Sequence, residues 1–147
     1  MFQGATELNL DVKGRLAIPS RHREALVSGD GQIVMTAHPH GCLLVYPVSA
    51  WTPIRDQVLR APSFDPHSAL LKRLLVGHAQ EEPLDSAGRV LIKPGLRKYA
   101  GLEKQVWLVG QGSHFELWSD ESWQRQQQAM QALPETGLPP GFESLAL

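Results

Sequence analysis

One cysteine, Cys42, stands in the whole chain of 147 residues. No intrachain disulfide can form, and no Cys-x-x-Cys pair is present to hold a structural metal. No run of about 18 apolar residues occurs, so no helix is expected to span a bilayer and no membrane partner is expected. The opening MFQGATELNLDVKGR lacks a basic stretch running into an apolar h-region. The expectation is an unexported protein of the cytoplasm. A net charge of −1 leaves no overall basic excess, the usual footprint of a nucleic-acid binder. Apolar residues make up 42% of the chain, enough for the core of one ordinary domain or of two small halves sharing a core.

The average charge hides an asymmetry. Residues 1–104 carry 13 Lys/Arg against 10 Asp/Glu, a net of +3, whereas residues 105–147 carry 1 against 5, a net of −4. The chain also repeats itself. DVKGR at residues 11–15 recurs as DSAGR at 85–89, an offset of 74. Upstream, ATELNLD faces AQEEPLD; downstream, GRLAI faces GRVLI and Arg23 falls on Arg97. QIVMT from Gln32 then faces QVWLV from Gln105 at an offset of 73, and LLVYPVSAW faces FELWSDESW at 72, placing Trp51 on Trp123. Two one-residue loop deletions account for the drift, so the chain reads as a duplicated unit of about 50 residues.

Each unit opens with a short alternating segment, Ala5 to Leu10 or Ala79 to Leu84, that enters the Asp-x-x-Gly-Arg turn. The apolar residues after the turn, Leu16 to Ile18 and Val90 to Ile92, read as a returning strand, which predicts a hairpin in each half. Pro19-Ser20 and Pro94-Gly95 then start short helices over Arg21 to Leu26 and Leu96 to Ala100. Further strands are predicted over Gln32 to Thr36, Cys42 to Tyr46, Gln105 to Val109 and Phe115 to Trp118. Ser49 and either Ser119 or Asp120 are candidate N-caps for helices near Trp51 and Trp123. The first of these breaks at Ala61-Pro62 and resumes from Asp65-Pro66 with Leu70, Leu71, Leu74 and Leu75 on one face. After Ala132, LPETGLPPGFESLAL reads as a loose tail. The expected organisation is a first repeat at 1–53, a helical connector at 54–77, a second repeat at 78–123, and a helix end with tail at 124–147. Units this small cannot bury their apolar faces alone, which predicts an α+β, mainly β fold: a pseudo-twofold β-barrel of interleaved hairpins with flanking helices.

In the turn, Asp at the first position accepts bonds from the turn's own N–H groups, and Gly at the fourth permits positive φ. Turn formation needs Asp and Gly but not Arg, yet Arg15 and Arg89 stand in both copies while Lys13 and Ala87 differ beside them. A planar guanidinium oriented by a carboxylate suits bidentate bonding to guanine O6 and N7. Other constellations yield less. His38 and His40 flank a proline with no third ligand at readable spacing, so a surface loop is expected there and no metal. Cys42 beside His40 opens the apolar run CLLVY and reads as a buried small hydrophobe. GQGSH does not open a helix as a phosphate-binding loop would, and reads as a hairpin loop. Trp51, Trp107, Trp118 and Trp123 sit at core or interface spacing and not as a base-stacking platform. No catalytic set and no cofactor site emerge, so no enzyme is expected.

With both Asp-x-x-Gly-Arg copies and the opening FQGATELNLDVKGR pattern, residues 1 to about 130 resemble the MraZ family, within the AbrB-like swapped-hairpin and double-split barrels. The resemblance implies a cytoplasmic, nucleoid-associated regulator of transcription at the division and cell-wall gene cluster. Such a protein acts as a ring-like homo-oligomer whose turns bind repeated boxes in double-stranded promoter DNA, and repression is the expected outcome. Carried onto this chain, the DNA-binding residues are Asp11, Lys13, Gly14 and Arg15 in the first half and Asp85, Gly88 and Arg89 in the second. The competing expectation is a non-catalytic assembly or antitoxin-like partner module that uses the barrel and the Leu70 to Leu75 helix without reading DNA.

Overall fold

The computed structural model describes residues 1–27, 29–133 and 137–147. Among these residues the chain forms, in order, β1 (Ala5–Asn9), β2 (Arg15–Ala17), α1 (Ser20–Leu26), β3 (Gln32–Ala37), β4 (Leu43–Pro47), α2 (Val48–Arg60), α3 (Pro66–Leu75), β5 (Gln80–Pro83), β6 (Arg89–Leu91), α4 (Pro94–Tyr99), β7 (Gln105–Gly110), β8 (Phe115–Ser119) and α5 (Asp120–Gln131). Six strands build one antiparallel sheet in the order β1-β7-β8-β4-β3-β5, and β2 and β6 pair as a separate two-stranded ribbon. The fold is α+β.

The repeat is visible in this order. Exchanging each first-half strand with its second-half counterpart turns β1-β7-β8-β4-β3-β5 into the same series read backwards, and β2-β6 into itself. The internal pseudo-twofold therefore runs between β4 and β8, where Leu43 faces Leu117 and Val45 faces Phe115.

The hairpin expected at the start of each half does not form. β1 pairs with β7 and β5 with β3, while β2 pairs only with β6, so the strands on either side of each turn belong to different sheets. The reason is the count of partners. β7 offers β1 five register pairs, whereas the three-residue β2 offers at most three. The turn reverses the chain locally and the strands then part.

Alternation along the strands sorts the side chains onto two faces. Ile33, Met35, Leu43, Val45, Val106, Leu108, Phe115 and Leu117 point into the main core with Leu16, Ile18, Val90 and Ile92 from the ribbon side and Leu26 and Leu96 from α1 and α4. On the outer face, Val34, Leu44 and Tyr46 are covered by Trp51 of α2 and partly by Leu75 of α3. Val109 and Trp118 are covered by Trp123 of α5, with Cys42 in the same cluster. Because β3 and β4 are covered on both faces, they read as continuous apolar runs. The edge strands β1 and β5 carry Glu7, Glu81, Glu82 and Pro83, residue types that discourage further strand addition.

Ser119 caps α5 by accepting from the Ser122 N–H at 3.1 Å, and Asp65 caps α3 through the His67 N–H. Ser49 is no cap: α2 already begins at Val48, after Pro47. The expected leucine stripe of α3 divides. Leu75 packs against the sheet, but Leu70 and Leu71 stay exposed, as do Leu59 and Phe64 nearby in the chain. Of the expected tail, residues 134–136 lie outside the described residues, and Leu138, Phe142, Leu145 and Leu147 are exposed.

Candidate nucleic-acid interface

The two Asp-x-x-Gly-Arg segments fold into turns closed by the same set of hydrogen bonds. In the first, Asp11 Oδ1 accepts from the Lys13 and Arg15 N–H groups, each at 2.9 Å, and Asp11 Oδ2 accepts from Arg15 Nε at 2.6 Å. The Asp11 N–H donates to the Arg15 carbonyl at 3.0 Å and the Gly14 N–H to the Asp11 carbonyl at 3.0 Å. The second turn repeats every bond: Asp85 Oδ1 accepts from Ala87 and Arg89 at 2.9 Å, and Asp85 Oδ2 from Arg89 Nε at 2.8 Å. The carboxylate orients the guanidinium, as the sequence suggested, and the bond also gives the arginine a part in closing the turn. Its Nε is committed to the aspartate, which fixes the guanidinium plane, while its Nη1 and Nη2 make no hydrogen bond among the described residues.

The ribbon brings the two turns together. Arg15 faces Leu91 and Ala17 faces Arg89, with the buried pair Leu16 and Val90 between them. Since successive side chains alternate, Arg15, Ala17, Arg89 and Leu91 share the outward face, and the two arginines are diagonal neighbours with backbones roughly 7–8 Å apart. Lys13 is exposed at the tip of the first turn, where the second has Ala87. Gly14 and Gly88 are buried with φ of 86° and 74°. Sequence reasoning paired Arg23 with Arg97 but assigned them no place. They lie against the two buried turn glycines, Arg97 against Gly14 and Arg23 against Gly88.

The hydrogen bonds set the carboxylates' acidity. Asp11 is pulled from 3.8 to about 2, first by the Arg15 N–H, against some desolvation, then by the Arg15 guanidinium and the Lys13 N–H. Asp85 is lowered in the same way, led by the Arg89 N–H. A carboxylate held below its unfolded value stabilises the turn fully above that value and loses its effect as pH falls toward the folded one. The turn is therefore expected intact at neutral pH and to loosen between 3.8 and about 2. An NMR titration checks this: the Asp11 carboxyl signal and the Arg15 amide should move together with a midpoint near 2, and an Asp11 titrating at its ordinary value would contradict the bonding.

The turn glycines give a second expected result. A Cβ at Gly14 would meet Arg97 Nε at 2.6 Å, and one at Gly88 would meet the Arg23 guanidinium, whereas one at Gly112, also at positive φ (81°), meets nothing within 4 Å. Alanine at Gly112 should cost only the left-handed backbone strain, about 1–2 kcal/mol. Gly14→Ala and Gly88→Ala should cost measurably more in urea denaturation; equal losses at all three would mean the arginine contacts are slack.

The other sequence candidates are absorbed by the fold. Cys42 is fully buried, and burial pushes its thiol up to about 12, which removes it as a nucleophile. His38 and His40 close the β3–β4 loop: the His40 N–H donates to His38 Nδ1 at 2.9 Å, and the Tyr99 hydroxyl donates to the His38 carbonyl at 2.6 Å. Among the described residues no group of three or more His, Cys, Asp or Glu is arranged to hold a metal, and no helix is long and apolar enough to cross a membrane. GQGSH forms the β7–β8 hairpin, bridged to Phe2 through Gly112. Trp51, Trp118 and Trp123 are buried, and Trp107 donates from Nε1 to Asp120 at 2.9 Å.

Comparison with known proteins follows the same division into halves. The family model described as "MraZ protein, putative antitoxin-like" matches residues 1–74 and again residues 75–137. The chain belongs to the MraZ family. It is 68% identical to the transcriptional regulator MraZ of Aromatoleum aromaticum over the full length of both chains. It is 60% identical to that of an Azoarcus species and 57% to that of Dechloromonas aromatica, again over the whole of each. Each of these relatives carries the name transcriptional regulator.

Proposed function

We propose that the chain is a sequence-specific DNA-binding regulator of transcription that reads promoter DNA with the outward face of the β2–β6 ribbon. The observation that carries this reading is the pairing of Arg15 and Arg89 on that face, each with Nε locked to an aspartate and both Nη atoms free. The major groove admits a two-stranded β-ribbon, and the two free Nη groups match guanine O6 and N7. Lys13 adds a cation placed for phosphate, and the relatives' name as transcriptional regulators points the same way.

Finer features of this reading come from the family resemblance. The targets are repeated boxes upstream of the division and cell-wall gene cluster, the effect is repression, and the protein works at the nucleoid. The six-stranded sheet and the ribbon are the walls of a swapped-hairpin or double-split barrel formed by repeats at 1–53 and 78–123, a view supported by the main core that both repeats share and by their exchange symmetry. Several copies close into a ring, for which the exposed side chains of Leu59, Phe64, Leu70 and Leu71 offer apolar contacts.

Footprinting upstream of the cluster tests binding and location together: protection of regularly spaced boxes is expected, and no protection at any salt concentration would end the DNA reading. Light scattering at micromolar concentration should show a closed oligomer; a clean monomer would defeat the ring. The same exposed apolar residues favour one rival, a partner-binding antitoxin-like module, which predicts stable association with another protein and no protected DNA.

A further inference from the structure

The two halves are tied to each other at the turns in a crossed pattern. Arg23, on α1 of the first half, lies against Gly88 of the second-half turn; Arg97, on α4 of the second half, lies against Gly14 of the first-half turn. Each guanidinium is held by one further bond. Arg23 Nε donates to the Ile18 carbonyl at 2.7 Å and Arg97 Nε to the Ile92 carbonyl at 2.8 Å. The same isoleucines reach the opposite turn from their other side: the Ile18 N–H donates to the Gly88 carbonyl and the Ile92 N–H to the Gly14 carbonyl, each at 2.9 Å. Beyond that, the Gly88 N–H donates to the Asp85 carbonyl and the Gly14 N–H to the Asp11 carbonyl. An unbroken line thus runs from each arginine through an isoleucine to the other half's turn, one residue before the reading Arg15 or Arg89.

We propose that Arg23 and Arg97 are positioning residues, each setting the pitch of the opposite half's Asp-x-x-Gly-Arg turn, so that base reading by Arg15 depends on Arg97 and base reading by Arg89 depends on Arg23. The inference rests on the proposed reading of DNA by these turns. Several features require an arginine and a glycine together. A flat guanidinium can lie against a bare Cα while bonding a carbonyl edge-on through Nε, which a lysine ammonium on a flexible stem does not reproduce. The glycine supplies both the positive φ and the room, since a Cβ at Gly14 would stand 2.6 Å from Arg97 Nε. Both contacts recur under the internal pseudo-twofold, as the sequence offset of 74 that pairs Arg23 with Arg97 requires. A guanidinium is large and costly to immobilise, and its presence at both related positions against a turn that is already closed by its own aspartate needs a role beyond closure.

Arg97→Lys and Arg23→Lys keep charge and approximate size, and double-mutant cycles on DNA carrying a single box report the coupling. The base pairs relaxed by Arg15→Ala and by Arg89→Ala first define what each turn reads. Arg97→Lys is then expected to relax discrimination about fivefold or more at the Arg15 base pair and to leave the Arg89 base pair unchanged. Adding it to Arg15→Ala should change nothing further, whereas its effect should combine independently with Arg89→Ala. Arg23→Lys should show the mirror pattern. A merely structural role would lower the melting temperature and weaken both base pairs alike, which would overturn the proposal, as would an effect confined to the arginine of the same half.

A DNA-free arm separates this from the proposed function. In 1H–15N spectra, Arg97→Lys should shift the Gly14 and Arg15 amides and spare those of Gly88 and Arg89, with the reverse for Arg23→Lys. Crossed shifts in a protein that binds no DNA would refute the DNA reading while upholding the coupling of the turns. Specific DNA binding without crossed shifts would overturn the coupling and leave the DNA reading intact.

Discussion

Arg15→Ala should weaken promoter binding by a larger factor on DNA with several boxes than on DNA with one. Arg15 Nε is spent on Asp11 at 2.6 Å, which fixes the guanidinium plane, and on the ribbon's outward face Nη1 and Nη2 make no hydrogen bond among the described residues. Losing one bidentate Arg–guanine pair costs about 1–3 kcal/mol of discrimination. In a ring engaging successive boxes that loss recurs at each box, so the deficit grows with box number through lost avidity. Arg89→Ala should act in the same direction but less, because the neighbour of Arg15 is the exposed Lys13, whereas Arg89 has Ala87 in its place. Lys13→Ala should lower affinity for all sequences alike and reduce the salt slope by roughly one contact. Binding measured at fixed salt on one-box and multi-box DNA distinguishes these cases. Unchanged affinity and sequence preference in a folded, oligomeric Arg15→Ala protein would make the Asp11–Arg15 bond the whole role of that arginine.

The largest stability loss near the site is expected from Leu16→Ala. Leu16 sits between Arg15 and Ala17, is 0% exposed, and enters the same core as Val90, its partner across the ribbon. Truncating a buried leucine costs about 2–5 kcal/mol, a large share of the roughly 5–15 kcal/mol that holds a typical domain. The ribbon has only three register pairs, so the two inward residues, Leu16 and Val90, are its chief anchors to the core. Leu16→Ala should therefore lower the urea midpoint strongly and loosen the mutual placement of Arg15 and Arg89. Val12→Ala, at a fully exposed turn tip, serves as the control and should stay within about 0.5 kcal/mol of wild type. A Leu16→Ala protein as stable as that control would show that the ribbon is not seated on the core.

The linear order of residues determined much of this by itself. The 74-residue offset announced two related halves, and the patterns QIVMT, CLLVY, QVWLV and FELW announced four central strands, because apolar runs and alternation are local properties of the chain. Asp11, Gly14, Asp85 and Gly88 were legible as turn residues for the same reason: an Asx turn and a positive φ are made within five residues. Pairing was not legible. Ala5 to Leu10 looked ready to fold back on Leu16 to Ile18, yet β1 found β7 and β2 found β6, since a strand's period states that it has a partner without stating which. A common side for the two arginines follows from pairing the halves, but only the β2–β6 register made Arg15 and Arg89 diagonal neighbours on one ribbon. The tertiary structure alone also decided what Arg23 and Arg97 touch, because a contact between α1 and a turn more than 60 residues away leaves no local pattern beyond a matching arginine in each copy. The turn arginine itself joined both levels: its recurrence was readable along the chain, but its Nε bond to the aspartate, which fixes the guanidinium plane and leaves Nη1 and Nη2 without a hydrogen bond among the described residues, exists only once the turn has folded.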